Sequence, residues 1–198
     1  RVKKLIASPY FGRFDFVYQG DNTNEDEIFY IGRFGFADEK GNQLIYDWRA
    51  PVCNMYYEFE IGKAYYTAME RLFEGEIVRK RQIKVENSKL LYVLDSSLTI
   101  LDEVLQQTLS QNTSEKMKTI VTTIQREQNR IIRNETAYNV IVQGAAGSGK
   151  TAVALHRIAY FLYKFRHTLS AEHIYILSPN KVFGDYISSV LPELGEES

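Results

Sequence analysis

Asn139-Val-Ile-Val-Gln-Gly-Ala-Ala-Gly-Ser-Gly-Lys-Thr-Ala-Val-Ala-Leu155 is the stretch that decides the fold. Its apolar opening, 139–143, predicts a short apolar strand, and the run from Lys150 to about 165 has helical apolar spacing. Between them lies Gly144-Ala-Ala-Gly-Ser-Gly-Lys-Thr151. A loop that wraps polyphosphate with backbone N–H groups needs glycine, both for dihedrals closed to other residues and for close approach. The helix N-terminus beyond it adds partial positive charge. In a P-loop of this kind Lys150 reaches the β- and γ-phosphates and Thr151 holds Mg²⁺ through its hydroxyl. Gly144, Ala145, Ala146, Gly147, Ser148, Gly149, Lys150 and Thr151 are therefore the expected nucleotide-binding residues, with Lys150 and Thr151 the expected catalytic pair. Average residue frequencies would place such a pattern by chance in about one in a hundred chains of this length.

Working outward, residues 173–177 predict the next strand, and Ser178 with Pro179 form an N-cap and first-turn pair for a helix carrying Val182, Phe183, Tyr186, Ile187 and Val190. The sum is β–loop–α–β–α, one parallel crossover and the start of another. Upstream, Leu98, Leu101, Leu105 and Leu109 lie on one helical stripe. A second helix is predicted over 114–133, with Met117, Ile120, Val121, Ile124 and Ile131 inward and Asn112 with Glu115 as its cap. Residues 1–95 read as β-structure, with strands at 10–18, 28–37 and 43–48 and a hairpin of 77–85 with 90–94 about Asn87-Ser88. The echo of Tyr10-Phe-Gly-Arg-Phe-Asp-Phe16 in Tyr30-Ile-Gly-Arg-Phe-Gly-Phe36 predicts two strands packed in equivalent ways. The expected architecture is α/β: a β-rich region over 1–95, packed on or inserted in a motor domain, and 96–198 as a helical lead-in to a RecA-like P-loop NTPase βαβ unit.

Composition narrows the function without fixing it. The 198 residues hold 24 Lys and Arg against 25 Asp and Glu, so any nucleic-acid surface must be a local patch. The one basic run, Arg79-Lys-Arg81 with Lys84, reads as a strand with alternate residues exposed, with contact to nucleic acid or polymerase as the second reading. Arg13 and Arg33 among aromatics do not make an RNA-binding sheet motif, because glycine precedes arginine in both. Cys53 is the single cysteine, which excludes an internal disulfide and suits a buried thiol in a reducing, cytoplasmic setting. His156, His167 and His173 lack metal-ligand spacing, and His156 reads as a helix-packing residue. No apolar run spans a membrane and no signal peptide is present. Arg1 and the closing Glu-Glu-Ser read as the ends of a piece of a longer protein. The acidic motif that completes a P-loop site is not found after Thr151. Asp102 and Glu103 precede the loop and sit at helical spacing, as a solvated face. Weak nucleotide binding with negligible turnover is the expectation for this piece.

Several segments carry a family resemblance. Ile124-Gln-Arg-Glu-Gln128 resembles the Q motif of superfamily 1 helicases of the UvrD/Rep type, Gly144–Thr151 their motif I, His156-Arg-Ile-Ala-Tyr-Phe-Leu162 the helix after it, and Ser178-Pro-Asn-Lys181 their motif Ia. Closer still is the resemblance to HelD-type proteins, DNA helicase IV-like ATPases that associate with RNA polymerase. It is carried by Tyr10–Phe16, Ile45-Tyr-Asp-Trp-Arg-Ala-Pro-Val52, Lys80-Arg-Gln82, Met117-Lys-Thr-Ile-Val121, 124–133 and 178–196. The resemblance implies domain 1A of an ATP- and Mg²⁺-dependent motor, with DNA, RNA polymerase and the remainder of its own motor domains as partners and no membrane. It assigns adenine recognition to Gln128, whose carboxamide can donate and accept at once. It also assigns a DNA phosphate contact to Asn180 and Lys181. Ala152 departs from the pattern, since UvrD-like helicases commonly carry Arg there. Two other readings stay open: a P-loop phosphotransferase or GTPase, disfavoured by the placement of Gln128 and the lack of a guanine-reading motif, and a docking role for the β-rich region.

Overall fold

The structure is a computed structural model that describes residues 2–20, 26–95, 124–145, 147–177 and 184. It is β-rich, built on one mixed seven-stranded sheet with short helices packed against it. After helix α1 (Val2–Ala7) come β1 (Gly12–Tyr18), β2 (Glu27–Gly32), β3 (Phe36–Ala37) and β4 (Gln43–Asp47). A 3-10 turn, Pro51–Cys53, runs into α2 (Asn54–Glu58); β5 (Gly62–Ala68), β6 (Arg71–Glu86) and β7 (Lys89–Asp95) follow. The order is β3-β4-β2-β1-β6-β5, with β7 also on β6. Among the described residues only β2 and β4 run parallel, and they share just Ile31↔Tyr46 and Gly32↔Asp47.

β6 is the spine. Its 16 residues pair with β1 on one side and, on the other, with β5 and then β7 laid end to end. Both of its hairpins turn through two left-handed residues: Asn87 and Ser88 at φ 49° and 64°, Met69 and Glu70 at φ 49° and 60°. Two left-handed central residues match the strand twist. Asn tolerates that region, which made the second hairpin readable, whereas Met69-Glu70 carries no such signal.

The sequence echo is not a structural repeat. In the first copy Gly12 opens β1, whereas in the second Gly32 closes β2 and the chain bends at Arg33 and Phe34. The two copies lie beside each other with Gly12 opposite Ile31, but they fill different roles.

The core joins the sheet to the helices. Phe14, Phe16, Phe29, Ile31, Trp48, Met55 and Ile77 are fully buried in one cluster with Ile132, Leu155 and Ala159. The last three lie on α3 (Arg126–Ile132) and α4 (Lys150–Lys164). On α4, Val153, His156, Ala159, Tyr160 and Leu162 make the inward stripe expected of an amphipathic helix. Cys53 is buried, and that burial pushes its thiol pKa up, as suits a packing residue.

Three expectations fail here. The helix predicted over 114–133 does not run unbroken to 133: Gln125 is extended and caps a new helix, α3, beginning at Arg126. Residues 139–143 and 174–177 form no strand, and no parallel βαβ unit is present among the described residues. Ile141 is 93% exposed and Leu177 98%, because no described edge offers either segment a ladder. Before the second segment, residues 171–173 close a 3-10 turn in which the His173 ring lies 3.1 Å from Ser170 N, using the start of the predicted strand. The stripe at 98–109, Asp102, Glu103, residues 114–123, the Ser178-Pro179 cap, Asn180, Lys181 and the helix after them lie outside the described residues.

Candidate nucleotide site

The glycine loop has the backbone that its sequence asks for. Gly147 and Gly149 are left-handed, at φ 81° and 83°. A Cβ on Gly144 would lie 2.6 Å from Ser148 Oγ. Ser148 N donates to Ala145 O at 3.2 Å, and Val153 N donates to Gly149 O at 2.9 Å, which opens α4 directly from the loop. Lys150 folds back so that its ammonium donates to the carbonyls of Gly144, at 2.7 Å, and Ala145, at 2.6 Å. The cation thus sits over the loop, held by hydrogen bonds that an anionic oxygen could replace. Thr151 stands half-buried in the first turn of α4. Ala146 lies outside the described residues. Backbone without Cβ at the points of closest approach, a cation over the loop and a helix N-terminus fit a polyphosphate with its Mg²⁺. No cluster of three His, Cys, Asp or Glu could hold a metal ion by itself among the described residues.

Gln128 comes to this loop from α3. Its Nε2 lies 3.7 Å from where a Cβ on Gly149 would be. Its Oε1 accepts from Gln125 N at 3.1 Å, capping the helix, and keeps a second lone pair. The residue thus turns an amide N–H toward the P-loop while its oxygen fixes the side chain. Of the residues named from the sequence, Gln128 thus lies near Gly149 and Lys150 folds over the loop, while Asn180 and Lys181 lie outside the described residues.

What holds α3 is a polar face that sequence reading missed. Arg126, Asn129, Arg130 and Arg133 recur at i, i+3, i+4 and i+7, and all four reach residues 48–60. Asn129 is 2% exposed; its Nδ2 donates to Asn54 Oδ1 at 2.8 Å and its Oδ1 accepts from Arg133 Nε at 3.0 Å. Arg133 donates onward to the carbonyls of Trp48, at 2.7 Å, and Arg49, at 3.3 Å. Arg130 pairs with Glu58 and Arg126 with Glu60. Their helical spacing is present in the sequence, but nothing local says that partners lie at residues 48–60.

The corner Asp47-Trp48-Arg49 holds α4. Arg49 makes a buried two-toothed pair with Asp47, Nε to Oδ1 at 2.9 Å and Nη2 to Oδ2 at 2.8 Å. Its guanidinium also lies 4.6 Å from the Tyr163 ring centre and donates to Ala159 O at 3.5 Å. Trp48 meets His156 edge to face, with ring centres 5.6 Å apart. The Ala152 carbonyl only accepts, so the His156 Nδ1 at 2.6 Å from it carries the proton. Burial holds the His156 pKa down to about 4. Trp48 Nε1 and His156 Nε2, a donor and an acceptor on touching rings, are buried without partners.

Within the basic run, Arg79, Lys80 and Arg81 each have a partner. Lys80 points inward, 5% exposed, donating to Phe59 O at 2.9 Å; burial lowers its pKa, with Glu60 opposing that shift. Arg79 pairs with Asp15 and Arg81 with Asp95.

The family described as DNA helicase IV HelD, N-terminal domain, matches residues 1–112, more than half of the 198-residue chain. The chain belongs to this family. Its glycine loop lies beyond the matched residues. No curated protein matches the chain. No helix among the described residues is long and apolar enough to cross a membrane.

Proposed function

We propose that this chain is the ATP-binding opening of a superfamily 1 helicase-like motor, one that acts on nucleic acid and RNA polymerase complexes. The observation that carries the reading is that Gln128 Nε2 approaches Gly149 of a glycine loop over which Lys150 is folded. The loop backbone and Lys150 would receive the polyphosphate, and Thr151 would hold its Mg²⁺. Gln128 would offer its amide hydrogen, and the free lone pair of its oxygen, to the adenine edge. Bound Mg-ATP supplies a phosphoanhydride whose hydrolysis can drive conformational work. The chain's own part is to bind and orient: α4 is fixed by the Asp47-Trp48-Arg49 corner and α3 by its polar face. Residues 96–198 would begin motor domain 1A of RecA-like fold, with 139–143 and 173–177 as strands wherever neighbouring edges are supplied, and 1–95 the region packed on it. DNA contact by Asn180 and Lys181, association with RNA polymerase and a cytoplasmic location follow from the same family reading.

The test is equilibrium binding of Mg-ATP and Mg-GTP. ATP should bind in preference to GTP; Lys150→Ala should weaken both, and Gln128→Ala should remove the preference. Equal affinities unaffected by Gln128→Ala would leave a generic P-loop and favour a phosphotransferase or GTPase.

A further inference from the structure

Helix α3 has seven residues, too few to hold its own shape or orientation in water. Its rotation about its axis must come from what its sides touch. One side is the stripe Arg126, Asn129, Arg130 and Arg133; Gln128 lies about 100° round the helix from Asn129. Of the four ties, Arg130 with Glu58 is solvent-facing, Arg130 being 62% exposed, and such pairs contribute little. Asn129 differs. Both ends of its carboxamide are satisfied, and its partner Asn54 opens α2, whose Met55, Tyr56 and Tyr57 are locked in the core. A buried carboxamide that loses such a partner must stay unpaired or turn away. Turning α3 carries Gln128 off Gly149.

We infer that Asn54, in the β-rich region, is a positioning residue for base recognition: through its hydrogen bond to Asn129 it sets the rotation of α3 and thereby aims Gln128 at the nucleotide. This rests on the ATP-site reading above. It separates two tasks, because the phosphate loop runs directly into α4 and receives polyphosphate through Lys150 and the glycines, with no part taken by α3, whereas base selection is set across the junction by Asn54.

The experiment measures Kd for Mg-ATP, Mg-GTP and inorganic tripolyphosphate on this chain. Asn54→Ala should lower the ATP preference roughly fivefold or more while tripolyphosphate binding stays within about twofold. Asn54→Asp should keep the preference, since its carboxylate still accepts from Asn129, and Glu58→Ala should leave all three values unchanged. Should Asn54→Ala not fold, Asn54→Ser gives the same readout, its hydroxyl falling short of Asn129. If the preference survives Asn54→Ala, or if all three ligands weaken together, Asn54 is merely structural and the inference is overturned. If the unsubstituted chain shows no preference, or Gln128→Ala leaves it intact, the ATP-site reading fails and takes this inference with it.

Discussion

Residues 43–47, Gln-Leu-Ile-Tyr-Asp, and residues 139–143, Asn-Val-Ile-Val-Gln, match in length and carry similar apolar centres. The first is β4, with Ile45 at 9% exposure; the second forms no strand, with Ile141 at 93%. The difference is the neighbourhood. β4 has β2 on one side and β3 on the other, whereas 139–143 meets no edge among the described residues. An apolar pentapeptide is a strand only where another backbone completes its hydrogen bonds. The loop and helix that follow 139–143 nevertheless take their expected form. Their order comes from local glycine geometry and from the corner at 47–49, not from a parallel sheet.

If that corner is the anchor, the largest loss of stability should come from Trp48→Ala. Urea unfolding should show about 3–5 kcal/mol lost, through the cavity left against His156 and α4. A loss below about 1 kcal/mol would mean that α4 is held elsewhere. Arg49→Met should cost about 3 kcal/mol, since Asp47 is left buried without its counter-ion.

Acid should act on the same junction. The His156 pKa lies near 4 in the folded chain and near 6.5 when unfolded, so the unfolded state takes up the proton first. The stability that neutral His156 supports is whole above pH 6.5 and is lost as pH falls toward 4. Between pH 7 and 5 the drop from this group should be about 1–2 kcal/mol, and His156→Phe should flatten it. Asp38, held low by its hydrogen bonds with Asn42, and Asp95, held low by Arg81, titrate below that window. At the small end, Ile141→Ala should change stability by no more than about 0.5 kcal/mol, as for an exposed position. A loss several times larger would show 139–143 to be packed, and the comparison with β4 would collapse.

Much of the fold was legible where the signal is local. Asn87-Ser88 marks its hairpin, short runs of aromatic and β-branched residues mark β1 and β4, and the glycines mark the phosphate loop. β5 and the first half of β6 were not, because the turn between them is Met69-Glu70 and because Tyr65 and Leu72 leave no clean inside face. The start of α3 was missed for a related reason: apolar spacing runs through Ile124, and only the Gln125–Gln128 cap breaks it. At the site, Lys150 follows from the spacing of the glycine motif and Gln128 from the family resemblance, but Asn54 has no signal of either kind. Its meaning lies in a contact across 75 residues.

Hydrogen–deuterium exchange with and without Mg-ATP shows whether the glycine loop and α3 meet the nucleotide together. Exchange should slow at amides 147–153 and 125–129 alike, with β5 and β7 unchanged. Exchange that does not slow at 147–153, or slows only in the sheet, would contradict the proposed site.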